Sequence, residues 1–265
     1  MIMSLQRDLN SLISGLSYGQ YEGKLEKEVL KGPVPKHIAV IMDGNRRYAE
    51  DLLEGDTNEG HEKGKDKLEE FLDWCMKIGI RIITVYAFST ENFSRAEKEV
   101  NFIMDMLEAT FLRFADDEKI HKNKVALRVI GDRELLPENV LEALNYAEER
   151  TADYSDYQLN VAIAYGGRQE ITMAVKEIAT KVKNGEMQIS DITEDAISKN
   201  LYTFDIPDPE LVLRTSGEQR VSNFLLWQLA YSEFYFTDVF WPGFRYIDLL
   251  RAIRAYQQRS RRFGQ

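Results

Sequence analysis

The chain has 265 residues, 44% hydrophobic and 29% charged, which is ordinary for a globular protein with one large domain and a substantial core. A formal net charge of −10 argues against a nucleic-acid partner, although a few arginines could still converge on a small anion. The single cysteine, Cys75, precludes an internal disulfide and suits a reducing cytosol. No run approaches the ~18 apolar residues of a membrane span, and no signal-peptide core opens the chain. A cytoplasmic enzyme is the expectation.

Leu5, Leu9, Leu12, Ile13, Leu16, Leu25 and Val29 recur at helical spacing, predicting an amphipathic helix that packs on the main body or touches a membrane. Gly32, Pro33 and Pro35 end that unit, so an N-terminal helical extension (1–35) is expected before a main domain (36–265). Short apolar runs follow: HIAVIM (37–42), RIITVYAF (81–88), VALRVI (125–130), QLNVAIAY (158–165), LVLRT (211–215) and EFYFTDV (233–239). Their β-branched, nearly continuous hydrophobicity suits strands covered on both faces. Amphipathic stretches at 62–78, 96–118, 137–152, 168–184, 222–231 and 246–262 read as helices, with Pro137 in a first turn and Ser94–Glu97 as a capping box. The alternation predicts an α/β fold with one central, mainly parallel six-stranded sheet flanked by helices.

Ligands of such sheets bind beyond the carboxyl ends of the strands. Asp43-Gly44-Asn45-Arg46-Arg47 follows the first predicted strand, and Ser89-Thr90-Glu91-Asn92 with Arg95 follows the second. Gly166-Gly167-Arg168 follows the fourth, and the fifth runs into Arg214 and Arg220. Gly44 would let backbone N–H groups approach a phosphate, and arginine forks match phosphate oxygens two at a time. A carboxylate such as Asp43 at a strand end could hold Mg²⁺. Alone, Asp43-Gly44 reads equally as a plain turn, and Arg214 and Arg220 read equally as surface ion pairs; together the turns say "anion site".

Other residues have plainer readings. His37 lies within a strand and is expected to be a hydrogen-bonded structural histidine. His121 belongs to no motif and is expected to be exposed. His61 is either a loop residue or a phosphate contact. Asp116-Asp117-Glu118 reads as a solvated helix end. The helix around 100–114 carries Phe102, Ile103, Met104, Met106, Leu107, Phe111, Leu112 and Phe114 on more than one face. It is a core helix, or one whose second face lines a cavity for a long hydrocarbon, for which adaptable methionines would suit.

The segments HIAVIMDGNRRYA (37–49), Gly60-His61, AFSTENFSR (87–95), YGGRQEI (165–171), LRTSGEQRVSNFLLWQLAYSEFYFTDVFWP (213–242) and RRFG (261–264) closely resemble the cis-prenyltransferases, in order and at compatible spacing. That resemblance implies condensation of isopentenyl diphosphate with an allylic diphosphate, farnesyl or geranylgeranyl. The product would be a polyprenyl diphosphate, the precursor of a glycosyl carrier lipid, held in a hydrophobic tunnel between sheet and helices. It implies that Asp43 holds Mg²⁺ and the diphosphates, with Glu233 as a second metal contact. Gly44, Asn45, Arg46 and Arg47 match the loop that cradles the allylic diphosphate, assisted by His61, Phe93 and Arg95. Ser89 and Asn92 match the pair that positions isopentenyl diphosphate and its departing proton, and Arg214, Arg220 and Ser222 match its binding site. Arg262 and Gly264 resemble a motif reaching a diphosphate across a homodimer interface. Peripheral membrane contact would let the product leave.

Three departures stand out. The acidic loop Asp51–Glu59 is longer than in bacterial members, with Thr57 where they carry an arginine. Tyr48 and Phe93 replace common tryptophans, and Gln219 stands where a histidine is frequent. These put the acceptor in question: another allylic diphosphate, a prenylated alcohol or a short product is the alternative. A non-catalytic partner subunit would lack Asp43 and most of the arginines. A P-loop phosphotransferase would need GxxxxGK[ST], which is absent. A lipid-binding module would use the apolar helix without chemistry.

Overall fold

Six short, mostly apolar runs pair edge to edge, and the inner ones are rich in isoleucine, valine and leucine because both of their faces are shielded from water. They form β1 (His37–Ile41), β2 (Ile82–Ser89), β3 (Val125–Ile130), β4 (Tyr157–Tyr165), β5 (Leu211–Arg214) and β6 (Glu233–Phe236). The order is β3-β4-β2-β1-β5-β6, and every neighbouring pair is parallel. The central strands β1 and β5 are buried throughout, whereas the edge strand β6 is only partly covered. The structure is a computed structural model and describes residues 19–53 and 56–259.

The helices are α1 over 19–29, α2 (Asn45–Tyr48), α3 (Thr57–Ile78), α4 (Glu97–Ala115), α5 (Glu118–Lys122), α6 (Glu138–Thr151), α7 (Gly167–Lys183), α8 (Glu194–Ser198) and α9 (Tyr246–Gln258). By Cα proximity the chain falls into two compact units: one holds Pro35–Gly243, the other the residues up to Val34 with those from Phe244 onward. In the smaller unit Leu25 and Val29 of α1 are buried, as the amphipathic spacing predicts. Gln257 of α9 donates to the Val29 carbonyl at 2.8 Å and the Pro33 carbonyl at 3.1 Å. Leu5 to Leu16, the first part of that predicted helix, lie outside the described residues, as do Arg262 and Gly264. Among the described residues no helix is long and apolar enough to cross a membrane.

Several local expectations change. Residues 222–231 are not an α-helix: Ser222, Asn223 and Leu225 have φ of 48°, 64° and 45°, and only Gln228–Tyr231 coils into a 3₁₀ turn. The Ser94–Glu97 box does not form; the box is Ser89 with Asn92, and Ala96 precedes α4. The acidic loop is largely helical. A π-helical turn occupies Ala49–Leu53, and α3 begins at Thr57, with the Asp56 carboxylate accepting from Asn58 N–H. His61 therefore sits inside α3 rather than ahead of it. Pro137 caps α6, and Asp117 caps α5, the helix-end role read for the acidic triplet.

His37 is buried and neutral, held in a polar chain that crosses the sheet. Asn160 donates to Thr84 Oγ1 (3.0 Å), leaving the Thr84 hydroxyl to donate to His37 Nε2 (2.7 Å) and Nδ1–H to donate to the Pro207 carbonyl (2.6 Å). Burial pulls its pKa down to about 4. His121 is also structural, contrary to the expected exposure. It is partly covered, with its two nitrogens 2.9 Å from Tyr154 OH and 2.8 Å from the Ala115 carbonyl.

Candidate active site

The carboxyl ends of β1, β2 and β5 open into a cavity of about 830 Å³. Asp43 stands at its polar end, its backbone fixed by three neighbours. Its N–H donates to the Ile41 carbonyl, while its own carbonyl accepts from Trp241 N–H (3.0 Å) and the Thr215 hydroxyl (2.6 Å). Arg214, 3% exposed, donates to Asp43 Oδ2 at 2.7 Å, and Arg47 reaches Oδ1 at 3.5 Å. Burial pushes the Asp43 carboxyl up. The Arg214 hydrogen bond and charge, Ser216 and the Arg47 charge outweigh it, so the group stays below the usual carboxylate range.

The turn after Asp43 depends on glycine twice over. Gly44 has φ of 102°, and a Cβ there would lie 2.7 Å from the Phe240 ring. Directly behind it, Gly60 and Gly64 of α3 let α2 approach closely, since a Cβ at Gly64 would meet Asn45 Oδ1 at 2.5 Å. Among the described residues Asn45 Oδ1 is buried without a hydrogen-bond partner. Arg46 and Arg47 leave this turn in different directions. Arg47 donates to Ser216 Oγ (2.7 Å) and lies 3.6 Å from Glu218, with its guanidinium over the Phe240 ring. Arg46 approaches Glu99 at 3.8 Å.

Glu99 gathers a second group of cations. It accepts from Arg95 at 2.9 Å and lies 3.3 Å from His61 Nε2, with its side chain only 11% exposed. Burial depresses the His61 pKa, partly offset by Glu99, so the ring is neutral at pH 7. On the β2 side, Ser89 N–H donates to Asn92 Oδ1 at 3.0 Å, and Asn92 N–H closes the box on the Ser89 hydroxyl oxygen. Both side chains line the cavity. On the β5 side, Arg214 donates to Ser222 Oγ (2.8 Å) and to the Arg220 carbonyl, while Arg220 pairs with Glu218. Tyr86 OH, directed at the Tyr165 and Ser222 carbonyls, holds the left-handed turn at Ser222 in place.

The other end of the cavity is apolar. Ile103, Met106, Leu107, Thr110, Phe111 and Phe114 line it at intervals of three and four residues, one continuous face of α4, with Leu68 of α3 opposite. The helix is both a core helix, packed against α6, and a wall of the cavity.

Gly44, Asn45, Arg46, Arg47, His61, Ser89, Asn92, Arg95, Arg214, Arg220 and Ser222 all line this one cavity with Asp43. Two expected residues do not. Phe93, in the 3₁₀ turn Thr90–Ser94, packs edge-on against Phe88 at 4.9 Å and does not line the cavity. Glu233 opens β6 beside Leu211, three residues before the strand end that reaches the site, roughly 10 Å along the strand. Within one chain it is not brought to Asp43, and no group of three or more His, Cys, Asp or Glu side chains gathers among the described residues. Sequence reasoning missed Glu99, Ser216 and Tyr86. Only Glu99 left a signal, four residues after Arg95 at a helix start.

An arginine-rich head opening into an apolar cavity fits an amphiphile with an anionic head and a hydrocarbon tail. The comparisons agree. The family model described as "Putative undecaprenyl diphosphate synthase" matches residues 41–264. The chain is 54% identical to the tritrans,polycis-undecaprenyl-diphosphate synthase (geranylgeranyl-diphosphate specific) of Methanopyrus kandleri, over 93% of this chain and 91% of the relative. The enzyme of the same name from Methanocaldococcus jannaschii is 53% identical, over 92% of this chain and 88% of that one. The crystal structure of lavandulyl diphosphate synthase from Lavandula x intermedia in complex with dimethylallyl diphosphate superposes with a TM-score of 0.82 at 35% identity, covering 88% of this chain and 99% of that one. The chain belongs to the cis-prenyltransferase family. It is a prenyl transferase that condenses isopentenyl diphosphate with an allylic diphosphate to a polyprenyl product.

Proposed function

We propose that the allylic primer is geranylgeranyl diphosphate and the product a Z,E-mixed undecaprenyl-length diphosphate, as the names of the archaeal relatives read. The observation that carries the reading is the continuity of one cavity from the Asp43–Arg214 pair to Phe114. The allylic tail lies along α4, and its diphosphate rests near Gly44, Asn45, Arg46, Arg47, His61 and Arg95. Isopentenyl diphosphate lies against Arg214, Arg220 and Ser222. Arginines arranged before substrate arrives stabilise charge growing on the departing diphosphate without reorganising. The allylic carbon–oxygen bond breaks, the isopentenyl double bond attacks the allylic carbon, and one proton leaves to a diphosphate oxygen. Ser89 and Asn92 orient that proton so that the new double bond is cis.

Mg²⁺ fits the donor set. It is commonly held by one or two carboxylates together with substrate phosphates, and Asp43 is an ionised carboxylate on the cavity wall. Asp43 would hold it, and when bound it would neutralise diphosphate charge. The working form is a homodimer in the cytoplasm with peripheral membrane contact for product release. Glu233, Arg262 and Gly264 retain their proposed roles only in that assembly. Mass spectrometry of products made from farnesyl and geranylgeranyl primers tests the reading. Geranylgeranyl diphosphate should be extended the faster, to one dominant length. Faster extension of farnesyl diphosphate, or release of the first condensation product, would refute it.

A further inference from the structure

Most cations on the cavity wall already have a carboxylate. Arg46 and Arg95 share Glu99, Arg47 and Arg214 share Asp43, and Arg220 takes Glu218. Lys65 differs. It lines the same cavity, yet among the described residues its one ion pair is with the adjacent Asp66, at 3.5 Å and 60% exposed. Asp66 is exposed and does not line the cavity, so that pair is a weak, solvated one from which the ammonium can turn to a ligand. The Lys65 side chain is only 28% exposed, well covered for a lysine.

Its position along α3 gives the role. His61, Lys65 and Leu68 follow one another at intervals of four and three, so they share a face, and all three line the cavity. His61 belongs to the polar group around Glu99, and Leu68 to the apolar wall facing α4. Lys65 therefore stands where the polar wall gives way to the apolar one. An amphiphile whose tail runs along α4 has its anionic head at that boundary; isopentenyl diphosphate, held at Arg214 and Arg220, does not reach it.

We propose that Lys65 is a substrate-positioning and specificity residue that binds the diphosphate of the allylic substrate through its ammonium. The proposal rests on the prenyl-transfer reading and goes beyond it by naming a residue and the substrate it serves. A charge-assisted hydrogen bond to phosphate forms in the ground state as well as the transition state. Its loss therefore raises KM for that one substrate and leaves kcat in place.

The test uses the full chain with Lys65→Gln and Lys65→Arg. Initial rates are measured with radiolabelled isopentenyl diphosphate, varying each substrate in turn, with geranylgeranyl diphosphate as primer. Lys65→Gln should raise the allylic KM about tenfold while the isopentenyl KM and kcat stay within about twofold, and Lys65→Arg should recover most of the loss. An unchanged allylic KM, an equal rise in both KM values, or a fall confined to kcat would overturn the proposal. A second readout needs no turnover: the rise in melting temperature given by geranylgeranyl diphosphate alone should be smaller for Lys65→Gln than for the parent chain. Absence of turnover by the parent chain would count against the activity itself, and the ligand-induced melting shift would still decide Lys65.

Discussion

Gly60→Ala separates the demands of the site from those of the helix. Gly60 lies inside α3, where alanine is the better helix former by up to about 1 kcal/mol. Sequence logic alone predicts a stabilised protein. The structure predicts the reverse. A Cβ at this position would overlap the Asn45 carbonyl oxygen, lie 2.9 Å from its carbonyl carbon and 3.1 Å from Ala49 Cβ. Carbon contacts settle near ~3.5–4.0 Å, so α2 must retreat by roughly 1 Å. The obstacle is backbone and cannot rotate aside. Overpacking of this kind costs about 1–3 kcal/mol, which outweighs the propensity gain. Asn45 begins the turn carrying Arg46 and Arg47, and a misplacement near 1 Å in such a site costs about a hundredfold in rate. Gly79→Ala is the control. Its φ of 86° strains alanine by about 1–2 kcal/mol, but among the described residues no atom would lie within 4 Å of the new Cβ, and α3 ends there, at the amino edge of the sheet. Thermal unfolding and incorporation of radiolabelled isopentenyl diphosphate measure both variants. Gly60→Ala should lose about two decades of activity, while Gly79→Ala loses only stability. A Gly60→Ala protein that melts higher than the parent and turns over normally would refute the reasoning.

Other outcomes follow from groups away from the phosphate turn. The unfolded chain protonates His37 near 6.5 and the folded one only near 4, so the unfolded state binds the extra proton between those values. Stability should be fully present above pH 6.5 and fall by about 3 kcal/mol as pH drops to 4. The decline should be shallower in His37→Gln, as urea titrations at pH 7 and pH 5 would measure. Cys75 is fully buried, and burial raises its thiol pKa, so a thiol-reactive dye should label it only after unfolding. Phe114 ends the cavity-lining row of α4, roughly 22 Å along the helix from Glu99. Phe114→Ala should shift products to longer chains by mass spectrometry, with the first condensation unchanged.

The sheet was legible because strands covered on both faces must be apolar along their whole length. The inner runs carry that mark, and the turns after the first, second, fourth and fifth strands pointed to the ligand edge. The segment 222–231 misled for the opposite reason. Its apolar spacing is helical, but Arg214 pulls in Ser222 Oγ and the Arg220 carbonyl, and Asn223 donates to Glu91 and Gln169. Those contacts come from outside the segment, Glu91 and Gln169 from far along the chain, and hold the backbone at positive φ. Glu99 was hidden likewise: its three partners, Arg46, His61 and Arg95, come from α2, α3 and the turn before α4, and spacing shows only Arg95. Glu233 shows the converse. Its motif was recognisable, but within one chain it opens β6 opposite Leu211, roughly 10 Å along the strand from the end at the cavity.

The central claim is that Asp43 is the carboxylate on which condensation depends. Asp43→Asn tests it better than Asp43→Ala, because alanine would strand the 3%-exposed Arg214 without a partner, whereas the amide oxygen can still accept from it. The measurement is incorporation of radiolabelled isopentenyl diphosphate onto geranylgeranyl diphosphate in the presence of Mg²⁺, with melting temperature recorded alongside. A folded Asp43→Asn protein with activity reduced at least about a thousandfold is the predicted result. Turnover within about tenfold of the parent chain would contradict the account.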